Sequence, residues 1–322
     1  MEAAAAAGSS SVAFVAQIGV ANVSYVLPPG NQSAPVTVLV GLFSGGCPGR
    51  SFVRQSWARV LRPDEFRLWF LASVPPSPAP SDVWQERAKH GDLLLFDALR
   101  EAYSAAGIYS SLPLKSLTFY WAAAHHASFA YLLKTDDDVF VNLPGVRSIL
   151  ALAPRRRAYM GYMYRNIRPD RRWKSKYRDR VWRTNMTAGM VELARSYERA
   201  RNGSAHDKAL VAALSTDEEP PYPDYADGVG ELLSSDVAQC IARLLPWYTI
   251  PSPIADVVTG HAVSLCRVRA RSWLTATREQ LSLWNETLPQ EEMLFAWHPG
   301  RSIAVAPWRQ RRNRVRFVLV SH

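Results

Sequence analysis

Phe129-Ala-Tyr-Leu-Leu133-Lys134-Thr135-Asp136-Asp137-Asp138-Val139-Phe140-Val141-Asn142 is the stretch on which the fold turns. A short apolar and aromatic run is followed at once by three adjacent carboxylates. Such a run reads as a strand covered on both faces, and in an open α/β sheet ligands bind beyond the carboxyl ends of the strands. Adjacent like charges repel, so a cluster at that place invites a divalent cation. Carboxylate oxygens are hard ligands and suit Mg2+ or Mn2+ rather than Zn2+. A solvated acidic turn would carry the same residues; the apolar flanks favour the metal.

Working upstream, Val36 to Phe43 is an almost continuous apolar, β-branched run that ends at the breaker Gly45-Gly46. A helical stretch over Arg50 to Val60 is closed by Pro63. Phe66 to Ala72 reads as a strand, Ser81 to His90 as a helix with Ser81 as its cap, and Leu93 to Phe96 as a strand. Leu117 to Ala127 is the next helix. This alternation predicts an α/β fold with a mostly parallel central sheet flanked by helices. Downstream the regularity loosens. Tyr159 to Met163 reads as a strand, residues 179–219 as a polar insertion with a helical stretch near 189–201, and Ser235 to Leu245 as a helix ended by Pro246. Phe317 to Val320, after an Arg-rich run, reads as a basic edge strand. Residues 1–34, rich in Ala, Ser, Pro and Gly, read as a stem or ragged N-terminal segment. That leaves residues 35–322 as a single domain.

Composition excludes several classes. With 48% apolar residues the 322-residue chain buries a core and is not disordered throughout. Three cysteines, Cys47, Cys240 and Cys266, allow at most one disulfide, and none forms a Cys-x-x-Cys pair for thiolate zinc. Thirty-eight basic against twenty-eight acidic residues give a net charge of +10, concentrated between Arg147 and Arg183, where eleven Arg and two Lys face Asp170 and Asp179. No nucleic-acid reader motif accompanies that charge, so nucleic acid is not expected as a partner. A solvated face, the side of a bound diphosphate and an anionic acceptor remain three uses for it. Five of the eight Asn open an Asn-x-Ser/Thr triplet (Asn22, Asn31, Asn185, Asn202, Asn285), where chance gives about one. The excess favours a luminal protein. No run near the N-terminus is long and apolar enough to read as a signal peptide or a membrane span.

Several segments, in order, carry a resemblance. Lys134 to Asn142 resembles the aspartate motif of the β-1,3-glycosyltransferases, the family holding β-1,3-galactosyl- and β-1,3-N-acetylglucosaminyltransferases and, more distantly, the Fringe enzymes (glycosyltransferase family 31). Arg50-Ser-Phe-Val-Arg54-Gln-Ser-Trp57 is similar to its Arg-x-x-Ile-Arg-x-Thr-Trp. Glu86, Gly91-Asp92-Leu93-Leu94, Asp97 and Lys115 follow suit. Tyr222-Pro223-Asp224-Tyr225-Ala226-Asp227-Gly228-Val229-Gly230 is similar to its Tyr-Pro-x-Tyr-Cys-x-Gly-x-Gly, and Ala255-Asp256-Val257-Val258-Thr259-Gly260 to its Glu-Asp-Val-x-x-Gly. Together they span about residues 36–300.

The resemblance implies a GT-A fold, with residues 35–322 as its catalytic domain. It also implies an inverting hexosyltransferase that moves galactose or N-acetylglucosamine from UDP-galactose or UDP-N-acetylglucosamine to a 3-hydroxyl of a glycan acceptor. Asp256 is then the catalytic base. Asp138 and Asp136 are the metal ligands, for Mn2+ with Mg2+ as an alternative. Arg54, Lys134, Asp136, Asp137, Gly228 and Gly230 contact the donor, and Trp57 supports the nucleotide end. A Golgi-lumen location is implied, as a type II membrane protein whose anchor is not seen in this chain. Three positions depart from the pattern. Ala255 stands where the family usually has Glu, Ala226 where it has Cys, and a late metal-ligating His has no clear counterpart, Asn285, Glu286, His298 and His261 being the substitutes considered. Ala255 and the missing His frame the alternative of an inactive descendant that binds a nucleotide sugar or glycan without transfer.

Overall fold

The computed structural model describes residues 13–44, 47–74, 81–97, 111–169, 179, 182, 221–272 and 295–297. In chain order its elements are β1 (Ala13–Ile18), β2 (Ala21–Val26), β3 (Pro35–Phe43), α1 (Cys47–Gln55), β4 (Phe66–Val74), α2 (Ser81–His90), β5 (Leu93–Asp97) and α3 (Leu112–His126). They continue with β6 (Ser128–Asp136), β7 (Val139–Val141), α4 (Leu143–Leu152), β8 (Tyr159–Tyr164), β9 (Tyr225–Ser234), α5 (Ser235–Leu244), α6 (Ala255–Leu265), β10 (Arg271–Ser272) and β11 (Phe295–Trp297).

Nine strands form one sheet in the order β1-β2-β5-β4-β3-β6-β9-β8-β10, and β7 pairs with β11 in a small second sheet. The centre, β5-β4-β3-β6, is parallel. Only β2 and β9 run against the direction of the other seven strands. The mostly parallel α/β sheet expected from the alternating pattern is therefore present. β6 and β9 lie side by side with Lys134 opposite Glu231, a register on which the site depends.

Alternation along each central strand sorts side chains into two cores. Leu39, Trp69, Leu71, Leu94, Phe96 and Leu132 pack with α3, α5 and α6 on one face. Val38, Val40, Leu42, Phe70, Leu93, Leu95 and Leu133 pack with α1, α2 and α4 on the other. Each buried large apolar side chain contributes about 2 kcal/mol. Gly41 is required where β3 passes α3: a Cβ there would run into the Phe119 ring.

Two features differ from the sequence expectation. Ala13–Val26, expected within a stem, form the β1-β2 hairpin at the sheet edge. Ala16, Ile18, Val23 and Tyr25 alternate into the core, and Gly19, at φ +55°, makes the turn. Helix α3 begins at Leu112, five residues before Leu117, because Pro113 sits near its N-terminus where the missing N–H costs nothing. Of the 179–219 insertion only Asp179 and Trp182 are described; the helical stretch near 189–201 and the strand at 317–320 lie outside the described residues.

Cys240, on α5, and Cys266, just after α6, are joined by a disulfide closing a separation of 26 residues, while Cys47 is free and exposed. Loop closure of that length constrains the unfolded chain by about 3 kcal/mol. Among the described residues no helix is long and apolar enough to cross a membrane.

Candidate active site

The carboxyl ends of β3 and β6, the first half of β9 and the N-terminus of α6 meet at one place. β3 and β6 end in register, Phe43 beside Asp136, and the Asp137 N–H donates to the Phe43 carbonyl (2.9 Å). The chain then turns at Asp137-Asp138, re-enters a short strand at Val139 and starts α4, where the Asn142 side chain caps the helix by accepting from the Gly145 N–H. Buried Trp57 holds the return strand, its indole N–H donating to the Val139 carbonyl (3.1 Å). Asp136 and Asp137 are half-buried and Asp138 is exposed. A Cβ at Gly49 would collide with the Asp137 carboxylate, so the first turn of α1 lies directly against the cluster.

Asp256 arrives from the opposite side. It lies in the first turn of α6, yet the helix-capping position is Ile254, whose side chain makes no capping hydrogen bond. The Asp256 carboxylate instead accepts from Lys134, Nζ to Oδ1 at 3.1 Å, and its side chain keeps 27% exposure. Gly228 lies between the two acid groups. A Cβ there would stand 3.2 Å from Asp256 Oδ2 and 3.4 Å from Asp136 Oδ2. Asp256, Asp136, Lys134 and Gly228 are thus one constellation, assembled from residues more than a hundred positions apart.

Lys134 is its hub. It is 1% exposed, bridges Glu231 Oε1 (3.2 Å) and Asp256 Oδ1 (3.1 Å), and sits 5.2 Å over the Phe43 ring. Burial alone would strip its charge; the Glu231, Asp256 and Asp136 carboxylates outweigh that and hold it firmly protonated. Glu231 also accepts from the buried Tyr120 hydroxyl, which lies 3.0 Å from Thr259 Oγ1. The Thr259 hydroxyl donates to the Ala255 carbonyl (3.2 Å), so the chain of contacts begins and ends on the first turns of α6. Burial raises the acid groups of Glu231 and Tyr120 above their ordinary values. Asp136 is raised well above the carboxylate range, by burial first and then by the charges of Asp256, Asp138 and Asp137, with Lys134 opposing.

The remaining expected site residues fall around this centre. Arg54 gives both faces of its guanidinium to acids: Nε and Nη2 to Asp92 (2.8 and 2.7 Å) and Nη1 to Glu86 (2.7 Å), with Phe70 beneath it at 4.8 Å. Arg50 completes this cluster on Glu86 and reaches Ser44 at the end of β3 (3.0 Å). Gly230 is buried within β9, its carbonyl against Gly161 of β8, where the close approach also leaves Ala226 little room. His261 faces the core of α6, with Nδ1 2.8 Å from the Tyr248 hydroxyl. Asn285, Glu286 and His298 lie outside the described residues. Among the described residues no group of three or more His, Cys, Asp or Glu side chains is arranged to hold a metal ion.

Sequence reasoning passed over Glu231, Tyr120 and Thr259. Glu231 had one signal, a lone acid interrupting an apolar strand, but the partner that explains it is across the sheet on β6.

A parallel-centred sheet whose strand ends deliver an Asp triplet against a second acid at a helix start is of the GT-A type found in glycosyltransferases. The chain belongs to the galactosyltransferase family, whose model, described as Galactosyltransferase, matches residues 50–272. It is 30% identical over 231 residues to β-1,3-galactosyltransferase 4 of Canis lupus familiaris (66% of this chain, 56% of that protein). It is 29% identical over 228 residues to the Homo sapiens β-1,3-galactosyltransferase 4 (66% and 55%). It is also 30% identical over 164 residues to the Homo sapiens N-acetyllactosaminide β-1,3-N-acetylglucosaminyltransferase 4 (48% and 42%). The chain spans about half the length of these curated relatives.

Proposed function

We propose that this chain is an inverting β-1,3-hexosyltransferase that moves galactose or N-acetylglucosamine from a UDP-sugar to the 3-hydroxyl of an acceptor glycan. One observation carries the reading: Asp256, held by Lys134 through Oδ1, turns Oδ2 towards Gly228 and Asp136 at the carboxyl end of β6.

In this reading Asp256 Oδ2 takes the proton of the acceptor hydroxyl. The acceptor oxygen bonds to the anomeric carbon from one side while the bond to the diphosphate breaks on the other, and UDP leaves with the electron pair. A single displacement needs one base and no covalent sugar intermediate. Gly228, without a side chain, leaves room for the sugar beside both acids. Asp137 and Lys134 border the donor's place, and the Arg54 cluster with Trp57 braces the nucleotide end.

The donor set suits Mn2+, with Mg2+ as the alternative, held by Asp138 and Asp136. Both offer hard oxygens, and a cation would relieve the repulsion from Asp256, Asp138 and Asp137 that adds to the effect of burial on Asp136. Such ions are commonly held by one or two carboxylates completed by substrate phosphates, which agrees with two protein ligands rather than three. When bound, the cation would neutralise charge on the departing diphosphate.

The reading includes work in the Golgi lumen as a type II membrane protein. The Cys240–Cys266 disulfide and the exposed side chains of Asn22 and Asn31, each opening an Asn-x-Ser triplet, support an oxidising, luminal setting. In this reading Arg165, just beyond the carboxyl end of β8 and 3.9 Å from Asp224, is the residue of the basic stretch that meets an anionic acceptor.

UDP release tests the reading, with UDP-galactose, UDP-N-acetylglucosamine and UDP-glucose offered over a panel of acceptor sugars, with and without Mn2+. Release that needs Mn2+, prefers one donor and vanishes in Asp256→Asn is the expected result. Silence together with no UDP binding would sink it.

A further inference from the structure

We infer that Glu231 is a positioning residue for Asp256, acting through Lys134. The inference rests on the transferase reading and adds to it a residue that lies outside every motif position assigned a role above. Glu231 is fully buried, and Tyr120 and Lys134 converge on its Oε1; among the described residues Oε2 has no hydrogen-bond partner. A buried carboxylate with one oxygen unsatisfied is costly, so its charge must be balanced by an equally buried cation. That cation is Lys134, directly opposite in the β6-β9 register.

The consequence is geometric. Lys134 is paired with two acids, Glu231 and Asp256, and feels the charge of a third, Asp136, two residues along its own strand. Glu231 ties the ammonium to the β9 side, where it grips Oδ1 of Asp256 and leaves Oδ2 as the nearer of the two carboxylate oxygens to the Gly228 gap, 3.2 against 3.6 Å from a Cβ placed there. Without Glu231 the ammonium is drawn towards the two aspartates, and the carboxylate that must face the acceptor turns with it. Tyr120 fixes Glu231 from α3, and its hydroxyl rests 3.0 Å from Thr259 Oγ1, so the helix bearing Asp256 also packs against the residue that holds Glu231.

The experiment is steady-state transfer with the full chain, first unaltered and then as Glu231→Gln, with UDP affinity measured by calorimetry. Unaltered enzyme that transfers establishes the reading on which the inference depends. Glu231→Gln is then expected to lose between about tenfold and 100-fold in kcat, with donor KM and UDP affinity within about twofold. Tyr120→Phe, which keeps the ring and removes only the donor to Glu231, is expected to lower kcat severalfold alone and to add nothing in the Glu231→Gln background, because both act through one carboxylate. Should Glu231→Gln not fold, Tyr120→Phe carries the test. An unchanged kcat in either folded variant, or a loss that falls equally on UDP affinity, overturns the inference while leaving the transferase reading standing. An unaltered enzyme that neither transfers nor binds UDP overturns both.

Discussion

Gly228 shows how much of this site rests on the absence of a few atoms. A methyl group there would stand 3.2 Å from Asp256 Oδ2, tighter than ordinary contact, and 3.4 Å from Asp136 Oδ2. Gly228→Ala is therefore expected to fold with its melting temperature within about 3 °C of the parent and to lose at least about tenfold in transfer, read by UDP release beside a thermal melt. A large drop in melting temperature would mean that the glycine serves the fold instead. Asp138→Ala removes an exposed carboxylate with no part in either core, so transfer should fall by at least about 100-fold with stability unchanged. Equal transfer with and without that side chain would remove it from the proposed metal site. The Asp triplet was legible in the sequence, because three acids after an apolar run are an electrostatic anomaly at any reading, whereas Gly228 entered only through the resemblance of Tyr222 to Gly230. Glu231 was not legible. A single acid in a strand does not announce the lysine across the sheet that balances it, and register is fixed only when the strands pair.

At the level of elements, α1, α2 and the start of β5 are fastened by four charges: Arg50 and Arg54 on α1, Glu86 on α2, and Asp92 just before β5. Glu86 is 9% exposed, and removing one partner of a buried ion cluster strands the others. Glu86→Gln is expected to cost about 3 kcal/mol, measurable by urea unfolding, and a loss below about 1 kcal/mol would show the cluster to be dispensable. Its pH signature has a definite sign. Burial alone would raise the Glu86 pKa; hydrogen bonds and charge from Arg50 and Arg54 outweigh it and lower the value from 4.5 to about 2. A depressed folded-state value adds stability that is present above pH 4.5 and lost as pH falls from there to about 2. The parent should therefore lose stability across that window more steeply than Glu86→Gln. The central strands and helices were readable from periodicity alone, since each buries a continuous apolar face. The β1-β2 hairpin was not, because its strands are short and mix exposed Asn and Gln with small residues that resemble a linker.

For the whole molecule, the cores on the two faces of the sheet are each closed by three helices, and the α5-α6 pair is further tied by Cys240–Cys266. Three cysteines in the sequence permitted one bridge without naming it; only the packing of α5 beside α6 chooses the pair. Replacing both with serine is expected to lower stability by about 3 kcal/mol in chemical denaturation. No change, in protein shown by mass to have been oxidised beforehand, would mean that packing alone holds the helices.

That bond also makes the protein's manufacture part of its chemistry. The helix beginning at Ala255 presents the proposed base at one end and is moored just past the other, at Cys266. Chains synthesised where thiols stay reduced would keep the sheet but let that helix ride loosely, and would register as sluggish catalysts with every relevant side chain intact. Two preparations of identical sequence, one secreted and one cytosolic, would then disagree in turnover, and a quantitative thiol titration would sort them before any kinetic comparison was drawn.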